Sequence, residues 1–457
     1  MAWIQTPVPY ALSDAFDALI AQPNDRSQSV FWLDSADANE ANPKRSMLTL
    51  SLASVAHIDA QGALHFARAQ DDVAANLPLW ERLDAAVQAF RAREPNCPAG
   101  WVSWHGYSCG FLASKDLAQS PHPAAIPMAE IYEVQAALIS DGSATILFLR
   151  AEDPDELPAR ERWWKDRLAS ALEGRGAAKT AKPKPLTIID AGSKSAYVEA
   201  IAAIQQKIST DKVQQVCLTY PITFERPASM AQWYSYLRER SPASYCAFVQ
   251  TPTIALASTS PESLFEIDDH VVSTRPMKGT RRRGSLPDDR LAEELRTNPK
   301  DRAENAMIAR LAMKDLARVC VPDSAFIKEA FTVETYATVL QLTSTIEGEL
   351  RPEVGPFQTF AALTPPASMT GTPRAAACEI LAALESAARG VYSGSLGWID
   401  GGTRSSFSVV IRALQAWGDH AAWHVGGGII ATSLPEDEWT ESRTKALALG
   451  VDAEDVS

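Results

Sequence analysis

Short β-prone runs alternate with amphipathic helical stretches along this chain. In the first third, Val30 to Ser35 and Met47 to Leu52 have the composition of strands. Two apolar runs flank the turn dipeptide Asp141-Gly142 and predict a hairpin. Residues 79–93 and 155–172 have helical spacing. The pattern therefore indicates a mixed fold in which helices and strands are interleaved.

The segment 174–185, which reads GRGAAKTAKPKP, interrupts this alternation. Small residues, lysines and prolines without apolar periodicity are typical of a linker. A chain of 457 residues also exceeds the roughly 250 to 300 residues at which single cores usually stop growing. We predict an N-terminal lobe at 1–173, a linker or loop at 174–186 and a second lobe at 187–457. The alternative is a long surface loop within one composite domain.

The second lobe continues the alternation with more regular helices. Helices are predicted at 197–208, 230–238, 302–319 and 375–384, and strands at 213–219, 245–250, 253–258, 263–267, 271–274, 339–346, 394–399, 407–414 and 421–425. A final helix is predicted at 435–449, where Ser433 and Glu436 have the spacing of a capping box. Glu438, Glu441 and Lys445 share one face of that helix.

Composition and charge narrow the function. The chain is 46% hydrophobic and 22% charged, as expected of a soluble globular enzyme. Its formal net charge of -13 and sequence pI near 5.1 oppose binding to nucleic acid. The start has no basic segment followed by an apolar core, and no apolar run approaches 18 residues. We therefore expect a cytoplasmic protein that does not contact membranes.

The cysteines and histidines give no sign of a metal centre. The six cysteines are scattered without a C-x-x-C pair, and the seven histidines are equally dispersed. This distribution predicts buried free thiols and neither a disulfide framework nor a zinc site.

One lysine has an unusual backbone context. Lys278 lies within residues 274–280, TRPMKGT, directly before Arg281, Arg282 and Arg283. Proline fixes φ and glycine tolerates unusual φ and ψ, so together they pin the backbone around this side chain. Lys278 is therefore either a directed reactive amine or part of a basic surface turn. For the three arginines, the prediction is a solvated loop.

Three carboxylates could serve a divalent cation. Glu304 lies in the first turn of the helix predicted at 302–319, on its apolar stripe, and Glu438 and Glu441 come from the final helix. Mg²⁺ takes one or two protein carboxylates and keeps its other positions for water and an anionic substrate. The alternative is a solvated helix face on which Lys445 pairs with Glu441.

Two further features suit an anionic ligand. Gly426, Gly427 and Gly428 follow an apolar strand and offer backbone N–H groups without side chains in the way. Arg412 ends another apolar strand and could hold a carboxylate with two hydrogen bonds. A strand bulge and an ordinary surface arginine are the alternatives.

Eight motifs in order resemble one family, the chorismate-utilising enzymes, which include anthranilate synthase component I, aminodeoxychorismate synthase component I, isochorismate synthase and salicylate synthase. The motifs are SPE at 260–262, RPMKGT at 275–280, DRAEN at 301–305, SMTGTP at 368–373, YSGSLGW at 392–398, IR at 411–412, GGGI at 426–429, and Glu438 through Glu441 to Lys445. The resemblance implies an α/β (α+β) fold, a large composite body of mainly antiparallel sheets flanked by helices.

Two positions are most similar to the aminodeoxychorismate synthases. These enzymes carry a lysine before Gly-Thr, as Lys278 stands here, where anthranilate and salicylate synthases typically carry alanine. Gln215 stands where the water-activating members carry a lysine. The resemblance therefore implies amination of chorismate to 4-amino-4-deoxychorismate, for 4-aminobenzoate and folate biosynthesis.

The resemblance also implies roles for single residues. Lys278 is the implied nucleophile and Glu262 its acid partner, which requires a partly neutral amine and a partly protonated carboxyl near neutral pH. Mg²⁺ is implied as the cofactor, with Glu304, Glu441 and Glu438 as its ligand set. The implied substrate contacts are Arg412, Gly426, Gly427, Gly428, Ser368, Thr370, Lys445, Gln215 and Gln341.

Nothing in the chain resembles a Cys-His glutaminase, so the resemblance implies a separate glutamine amidotransferase subunit as the source of ammonia. The sequence differs from the family motifs at two positions, and these differences leave alternative functions open. Gln341 replaces a family histidine associated with pyruvate loss, and Met313 departs from another family motif. A glutamine cannot shuttle protons, which argues against pyruvate elimination. The alternatives are anthranilate synthase component I and a catalytically weak regulatory paralogue.

Overall fold

A computed structural model describes residues 2–20, 29–35, 45–114, 117, 125–173, 182–210, 212–284, 286–336 and 339–449. Twenty-one strands lie in these ranges. They are β1 (Ala2–Val8), β2 (Val30–Asp34), β3 (Ser46–Ile58), β4 (Leu64–Phe66), β5 (Trp101–His105), β6 (Ala129–Ser140), β7 (Thr145–Ala151), β8 (Ile188–Asp190), β9 (Gln215–Glu225), β10 (Tyr245–Gln250), β11 (Ala255–Ser260), β12 (Ser263–Asp268), β13 (Val271–Arg275), β14 (Met277–Arg282), β15 (Phe326–Thr335), β16 (Val339–Glu349), β17 (Gly371–Thr372), β18 (Ser395–Ile399), β19 (Ser405–Val409), β20 (Ala413–Trp417) and β21 (His420–Ile429).

Eleven α-helices lie in the described part of the chain. They are α1 (Leu12–Leu19), α2 (Leu79–Arg93), α3 (Leu157–Leu172), α4 (Lys194–Ile208), α5 (Met230–Arg240), α6 (Asp288–Thr297), α7 (Pro299–Leu316), α8 (Pro356–Leu363), α9 (Ala367–Thr370), α10 (Arg374–Leu384) and α11 (Pro435–Ala446). In the ranges that the structure covers, no helix has the length and apolar character needed to cross a membrane.

The strands form one hydrogen-bonded network in which every pairing of described strands is antiparallel. The long strands β3 and β6 pair with each other in its middle. One wing, the first wing, runs from β3 through β2, β10, β11, β20 and β21 to β9. The second wing runs from β6 through β5, β18, β19, β12 and β13 to β16, which also holds β14 and β15. The predicted body of mainly antiparallel sheets with helices is confirmed.

Both predicted lobes contribute to the same sheet and the same cores. β2 pairs with β10 and β5 pairs with β18, so strands before and after the 174–186 segment share hydrogen bonds. Each of the two largest apolar clusters also draws side chains from both sides of that segment, such as Trp104 and Phe407 in one of them. Residues 174–181 of the predicted linker lie outside the described residues, and the lobe boundary stays a prediction. All six cysteines are buried and unpaired, as predicted.

A side-chain cap explains where α7 begins, whereas α11 begins without one. α7 begins three residues before its predicted start, because the Asn298 side chain accepts a hydrogen bond from Asp301 N at 3.0 Å. The predicted capping box at Ser433 is wrong, since Leu434 occupies the cap position without a side-chain bond. Ser433 Oγ instead donates to Glu438 Oε1 at 2.7 Å. That contact belongs to the site described below.

A buried ion pair between Arg389 and Glu385 ties the first wing to α9. The Arg389 guanidinium has an acceptor for each of its five N–H donors. These acceptors are both Glu385 carboxylate oxygens at 2.7 and 2.9 Å, Met369 O at 2.7 Å, Cys217 O at 2.9 Å and Ser393 Oγ at 3.2 Å. Glu385 Oε1 also accepts from the backbone N and hydroxyl of Thr219. Because β9 pairs with β21, this network fixes the strand that carries the three glycines.

Arg389→Met is expected to destabilise the protein by about 3–5 kcal/mol, because it leaves the Glu385 carboxylate buried without its cation. Urea unfolding followed by fluorescence measures the change. Arg296→Met is the control, since its ion pair with Glu293 is more than half exposed on both sides and contributes little. An Arg389→Met loss no larger than that of the control would contradict the structural role.

Candidate active site

Glu262 and Arg412 lie where the two wings separate. β11 pairs with β20 in the first wing and β12 pairs with β19 in the second, and the chain passes between the wings at these two residues. The Glu262 carbonyl accepts from Val409 N at 3.0 Å, and the Arg412 carbonyl accepts from Thr259 N at 3.1 Å. Arg412 has a φ of +48°, a strained value for a residue with a side chain. These bonds hold both residues at the base of the space between the two diverging wings, which we call the opening.

The Glu262 carboxyl is buried and is held by one neighbour. Its side chain has 5% relative exposure, and its Oε1 accepts a hydrogen bond from Ser368 Oγ at 2.7 Å. Burial raises the pKa of Glu262 above its ordinary value, although the Ser368 bond and the charges of Lys278 and Arg412 oppose this. A carboxyl in such a setting holds a proton at higher pH than an exposed one and is suited to act as a general acid.

Lys278 lies in a bulge of β14. Met277 pairs with Thr343 and Thr280 pairs with Gln341, so β14 has one more residue in this interval than β16. Gly279 supplies the φ of +93° that the bulge requires. Within the described part of the chain, the Lys278 amine has no hydrogen bond or ion pair. Its charge nevertheless opposes the rise in the pKa of Glu262 and helps to lower the pKa of Glu441, so the amine lies near both carboxylates.

The Arg412 guanidinium is similarly uncommitted. Among the described residues it has no hydrogen bond or ion pair, and it lies close enough to Glu262 to affect that carboxyl. Burial lowers the pKa of Arg412, and Glu262 is among the groups that oppose the shift. A partly desolvated cation with free donors is suited to hold a carboxylate of a ligand.

The carboxylates of α11 form a second acidic group. Burial and the charge of Glu441 raise the pKa of Glu438, while the Ser433 hydroxyl opposes the rise. Burial also acts to raise the pKa of Glu441, but the charge and hydrogen bond of Lys445 outweigh it, and the pKa is lowered. Lys445 Nζ lies 2.8 Å from Glu441 Oε1 and donates to Gly426 O at 2.7 Å. The predicted helix-face pairing of Glu441 with Lys445 is therefore present.

Glu438 and Glu441 fit a magnesium ion as donors. They are hard oxygen ligands, and their mutual repulsion is the kind that a cation relieves. Among the described residues no group of three acidic, histidine or cysteine side chains already converges, and Glu304 as a further ligand stays a prediction. The charge of Lys300, one turn before Glu304 on α7, opposes the rise in the pKa of Glu438 and adds to the lowering of the pKa of Glu441. The first turn of α7 therefore faces α11 across the site.

The three glycines lie within a strand and not in a loop. They pair with β9 through Thr219, Leu218 and Cys217. Alternate residues direct their N–H groups to β9, so the three amides cannot all face one ligand. The pairing of β21 with β20 ends at Trp423, which leaves the other edge of β21 without a described strand partner along 426–428. The amides on that edge are available to a ligand.

The glycines also make room for functional side chains. A Cβ on Gly427 would lie 2.8 Å from Glu438 Oε2 and 3.9 Å from the Tyr197 hydroxyl oxygen. A Cβ on Gly428 would lie 2.4 Å from Gln215 Nε2. Gln215 is 3% exposed, and its Oε1 has no partner among the described residues. Gln215 is thus a buried amide next to the open strand edge.

Gln341 and Thr370 are the remaining predicted residues, and both are buried. Gln341 Nε2 donates to Thr280 Oγ1 at 3.4 Å, and its buried Oε1 has no partner in the described ranges. Thr370 is fully buried, with its hydroxyl 3.3 Å from the Tyr107 hydroxyl. Gln341 therefore adjoins the strand that carries Lys278, whereas Thr370 lies on the same short helix as Ser368 and contacts Tyr107.

Sequence reasoning missed four residues of this region. They are Arg389, Glu385, Tyr107 and Lys300. The first three act through contacts between distant parts of the chain, for which local periodicity carries no signal. Lys300 had a possible signal, since a lysine in the first turn of a helix opposes the helix dipole and needs a nearby anion.

Comparisons with known proteins show the family and the fold of the chain. A family model described as chorismate binding enzyme matches residues 28–450. The chain is 33% identical over 468 residues to the aminodeoxychorismate synthase of Streptomyces griseus, covering 97% of this chain but only 63% of that protein. It is 31% identical over 378 residues to anthranilate synthase component 1 of Thermus thermophilus, covering 81% and 80%. The fold is similar to anthranilate synthase component I of Streptococcus pneumoniae TIGR4, with a TM-score of 0.75, 19% identity and coverage of 90% and 93%.

The raised pKa of Glu262 predicts a specific pH dependence of stability. At pH values just above 4.5, the ordinary pKa of a glutamate, the folded protein still holds the Glu262 proton, whereas the unfolded chain has lost it. The stability that the protonated Glu262 contributes is therefore complete below about that pH. It is lost as the pH rises through the pKa that Glu262 has in the folded protein. Glu262→Gln should gain stability relative to wild type as pH rises from 4.5. Urea unfolding at several pH values, with exposed Glu436→Gln as control, measures this, and a pH-independent difference would contradict it.

Proposed function

The chain belongs to the chorismate binding enzyme family, and from that premise we propose that it aminates chorismate to 4-amino-4-deoxychorismate. The observation that carries the proposal is the uncommitted amine of Lys278, which acts electrostatically on the buried Glu262 carboxyl. A nucleophile and an acid that face the same space are what a covalent displacement requires. The Streptomyces griseus relative named aminodeoxychorismate synthase supports the choice of product.

The proposed reaction has two displacement steps. Lys278 Nζ adds to C2 of the ring, the ring double bond shifts, and the C4 hydroxyl leaves as water with the proton of Glu262. Ammonia then adds at C4, the double bond shifts back, and the bond between C2 and Lys278 breaks. The ionised Glu262 takes the proton that the new amine loses. The sum is chorismate plus ammonia giving 4-amino-4-deoxychorismate plus water.

The other residues of the site would hold the substrate. Arg412 offers free donors for a carboxylate, and the open edge of β21 at Gly426 and Gly428 offers backbone amides. Ser368 orients the Glu262 carboxyl through its 2.7 Å bond. Gln215, with its unpartnered oxygen, would accept a hydrogen bond from the incoming ammonia. Gln341 and Thr370 would support this arrangement from behind.

Mg²⁺ is proposed as the cofactor, held by Glu438 and Glu441 with Glu304 on the facing helix. When bound, it would supply positive charge for a substrate carboxylate. Lys445 holds Glu441 and the Gly426 carbonyl in place from the same helix face.

Ammonia is proposed to come from a glutamine amidotransferase subunit. The chain spans only 63% of the Streptomyces griseus relative, so the activity of that whole protein reaches this chain only as a proposal. We further propose that the protein works in the cytoplasm and that its product serves 4-aminobenzoate and folate biosynthesis.

A second candidate function is anthranilate synthesis, because the Thermus thermophilus relative with that name is matched over 80% of its length. Gln341 argues against it, since an amide cannot transfer the protons that pyruvate loss requires. A regulatory paralogue without activity is the third candidate. Purified protein with chorismate, Mg²⁺ and ammonium separates the three: pyruvate and anthranilate indicate the second, and absence of turnover indicates the third.

Lys278→Ala is expected to abolish formation of 4-amino-4-deoxychorismate, and Glu262→Gln to slow it by about 10²–10⁴-fold. Chromatography of the products measures both, with a lyase added to convert the product to 4-aminobenzoate. Mass spectrometry of wild type with chorismate but without ammonium should show an adduct on Lys278. Lys328→Ala, at an exposed ion pair with Glu347, is the matched control. Full activity in Lys278→Ala would overturn the proposed mechanism.

Glu441→Gln is expected to raise the Mg²⁺ concentration for half-maximal activity by on the order of tenfold or more, because it removes one of two charged donors. Titration calorimetry with Mg²⁺ alone gives the same comparison without turnover. Glu436→Gln is the control, since Glu436 lies on the same helix but pairs with Lys194 at an exposed position. Equal Mg²⁺ affinity in both variants would exclude Glu441 as a ligand.

A further inference from the structure

We propose that an ion-pair clamp, formed by Arg281, Asp301 and Glu294, positions Lys278 for reaction, and that Arg281 is therefore a positioning residue. The proposal rests on the function proposed above, in which Lys278 is the nucleophile. It also corrects the prediction that the arginines after Lys278 form a solvated loop. Arg281 lies in β14 and its side chain has only 22% exposure.

The bulge that carries Lys278 is not fixed by the backbone pairing of β14 with β16, so it needs other contacts to hold it. At Lys278 and Gly279 the register between β14 and β16 shifts, so regular pairing does not fix these two residues. A bulge with a glycine at positive φ has more conformational freedom than a regular strand. A lysine on a flexible backbone would lose much of the advantage of a fixed nucleophile. The support must come from side chains next to the bulge.

Arg281 provides that support from its three nitrogens. Its Nη2 lies 2.7 Å from Asp301 Oδ2, and its Nε lies 2.8 Å from Glu294 Oε1. Its Nη1 donates to Thr280 O at 3.1 Å, one residue after the bulge. One planar guanidinium thus joins β14 to α6 through Glu294 and to α7 through Asp301.

Asp301 in turn packs directly against the bulge. A Cβ on Gly279 would lie 3.1 Å from Asp301 Cβ and 3.2 Å from its Cγ. Asp301 is itself fixed, because its backbone N donates to the Asn298 side chain at the start of α7. Because Arg281 pairs with Asp301, the Asp301 side chain is held against Gly279. The backbone next to Lys278 is thereby packed against the first turn of α7. The same turn carries Lys300, which faces the α11 carboxylates.

Arg283 provides a matched comparison on the same segment. Its guanidinium makes a bidentate pair with Asp288 at 2.7 and 3.2 Å and donates to Tyr336 O at 3.0 Å. This pair is more exposed, at 34% and 40%, than the 22% and 14% of Arg281 and Asp301. Both arginines stabilise the chain locally, and Asp301, the partner of Arg281, is the residue nearest to Gly279 in the bulge. Loss of Arg281 should therefore affect Lys278 in a way that loss of Arg283 does not.

The test compares Arg281→Gln, Arg281→Lys and Arg283→Gln in the full chain. For Arg281→Gln we expect kcat to fall by about 10–100-fold, the range for a displacement near 1 Å, with KM for chorismate within about twofold. Arg281→Lys should recover part of kcat, because an ammonium can reach one of the two carboxylates. Arg283→Gln should keep kcat. A kcat for Arg281→Gln no lower than for Arg283→Gln, at comparable Tm, would overturn the clamp.

Two readouts do not depend on turnover. Competitive acetylation with trace acetic anhydride measures the reactivity of Lys278 against Lys328 by mass spectrometry, and hydrogen exchange measures the amides of 277–282. Arg281→Gln should change the relative acetylation of Lys278 and accelerate exchange in this segment, whereas Arg283→Gln should leave the Lys278 ratio unchanged. An unchanged ratio in both variants would refute the clamp.

These readouts separate the two proposals. If wild type does not convert chorismate, the proposed function fails, and acetylation and exchange still decide whether Arg281 fixes the bulge. If wild type is active and Arg281→Gln matches Arg283→Gln in every readout, the function stands and the clamp is wrong.

Discussion

The buried Arg389–Glu385 pair is the interaction on which the geometry of the site depends. Two opposite charges with 0% and 2% exposure are costly to bury, and the cost is offset here because every guanidinium N–H has an acceptor. Those acceptors come from β9, from the turn at α9 and from Ser393. The glycine strand β21 pairs with β9, and Ser368 of α9 holds Glu262. One satisfied cation thus holds both the open edge of β21 and the short helix whose Ser368 orients the proposed acid.

The divergence of the two wings is the second constraint on where the site residues lie. A single flat sheet would leave Glu262 and Arg412 in regular ladders, with their side chains alternating between faces. The chain instead crosses between wings at both residues, and Arg412 takes a positive φ there. Lys278 lies in another irregularity, the bulge of β14. The groups proposed to act on the substrate therefore occupy places where strand pairing is interrupted and a side chain can be directed into the opening.

Charge in this acidic protein is segregated. The chain has a formal net charge of -13, yet Lys278, Lys300, Lys445 and Arg412 act on the carboxylates of one opening. Positive and negative side chains are therefore concentrated together at this site. The pKa values of the carboxyls shift in opposite directions. Burial dominates at Glu262, whose pKa is raised, while contact with Lys445 dominates at Glu441, whose pKa is lowered.

The sequence by itself determined the order of the motifs, most helix and strand positions, and the identity of Lys278, Glu262 and Arg412 as candidates. These follow from local periodicity, from turn chemistry and from the family resemblance. Only the tertiary structure decided that the three glycines lie inside a strand, that Ser433 bonds Glu438, and that Arg281 reaches Asp301. Arg389 meets Cys217 across 172 positions of sequence, and Glu385 meets Thr219 across 166. Such contacts depend on how the wings fold together, and no local pattern in the chain encodes them.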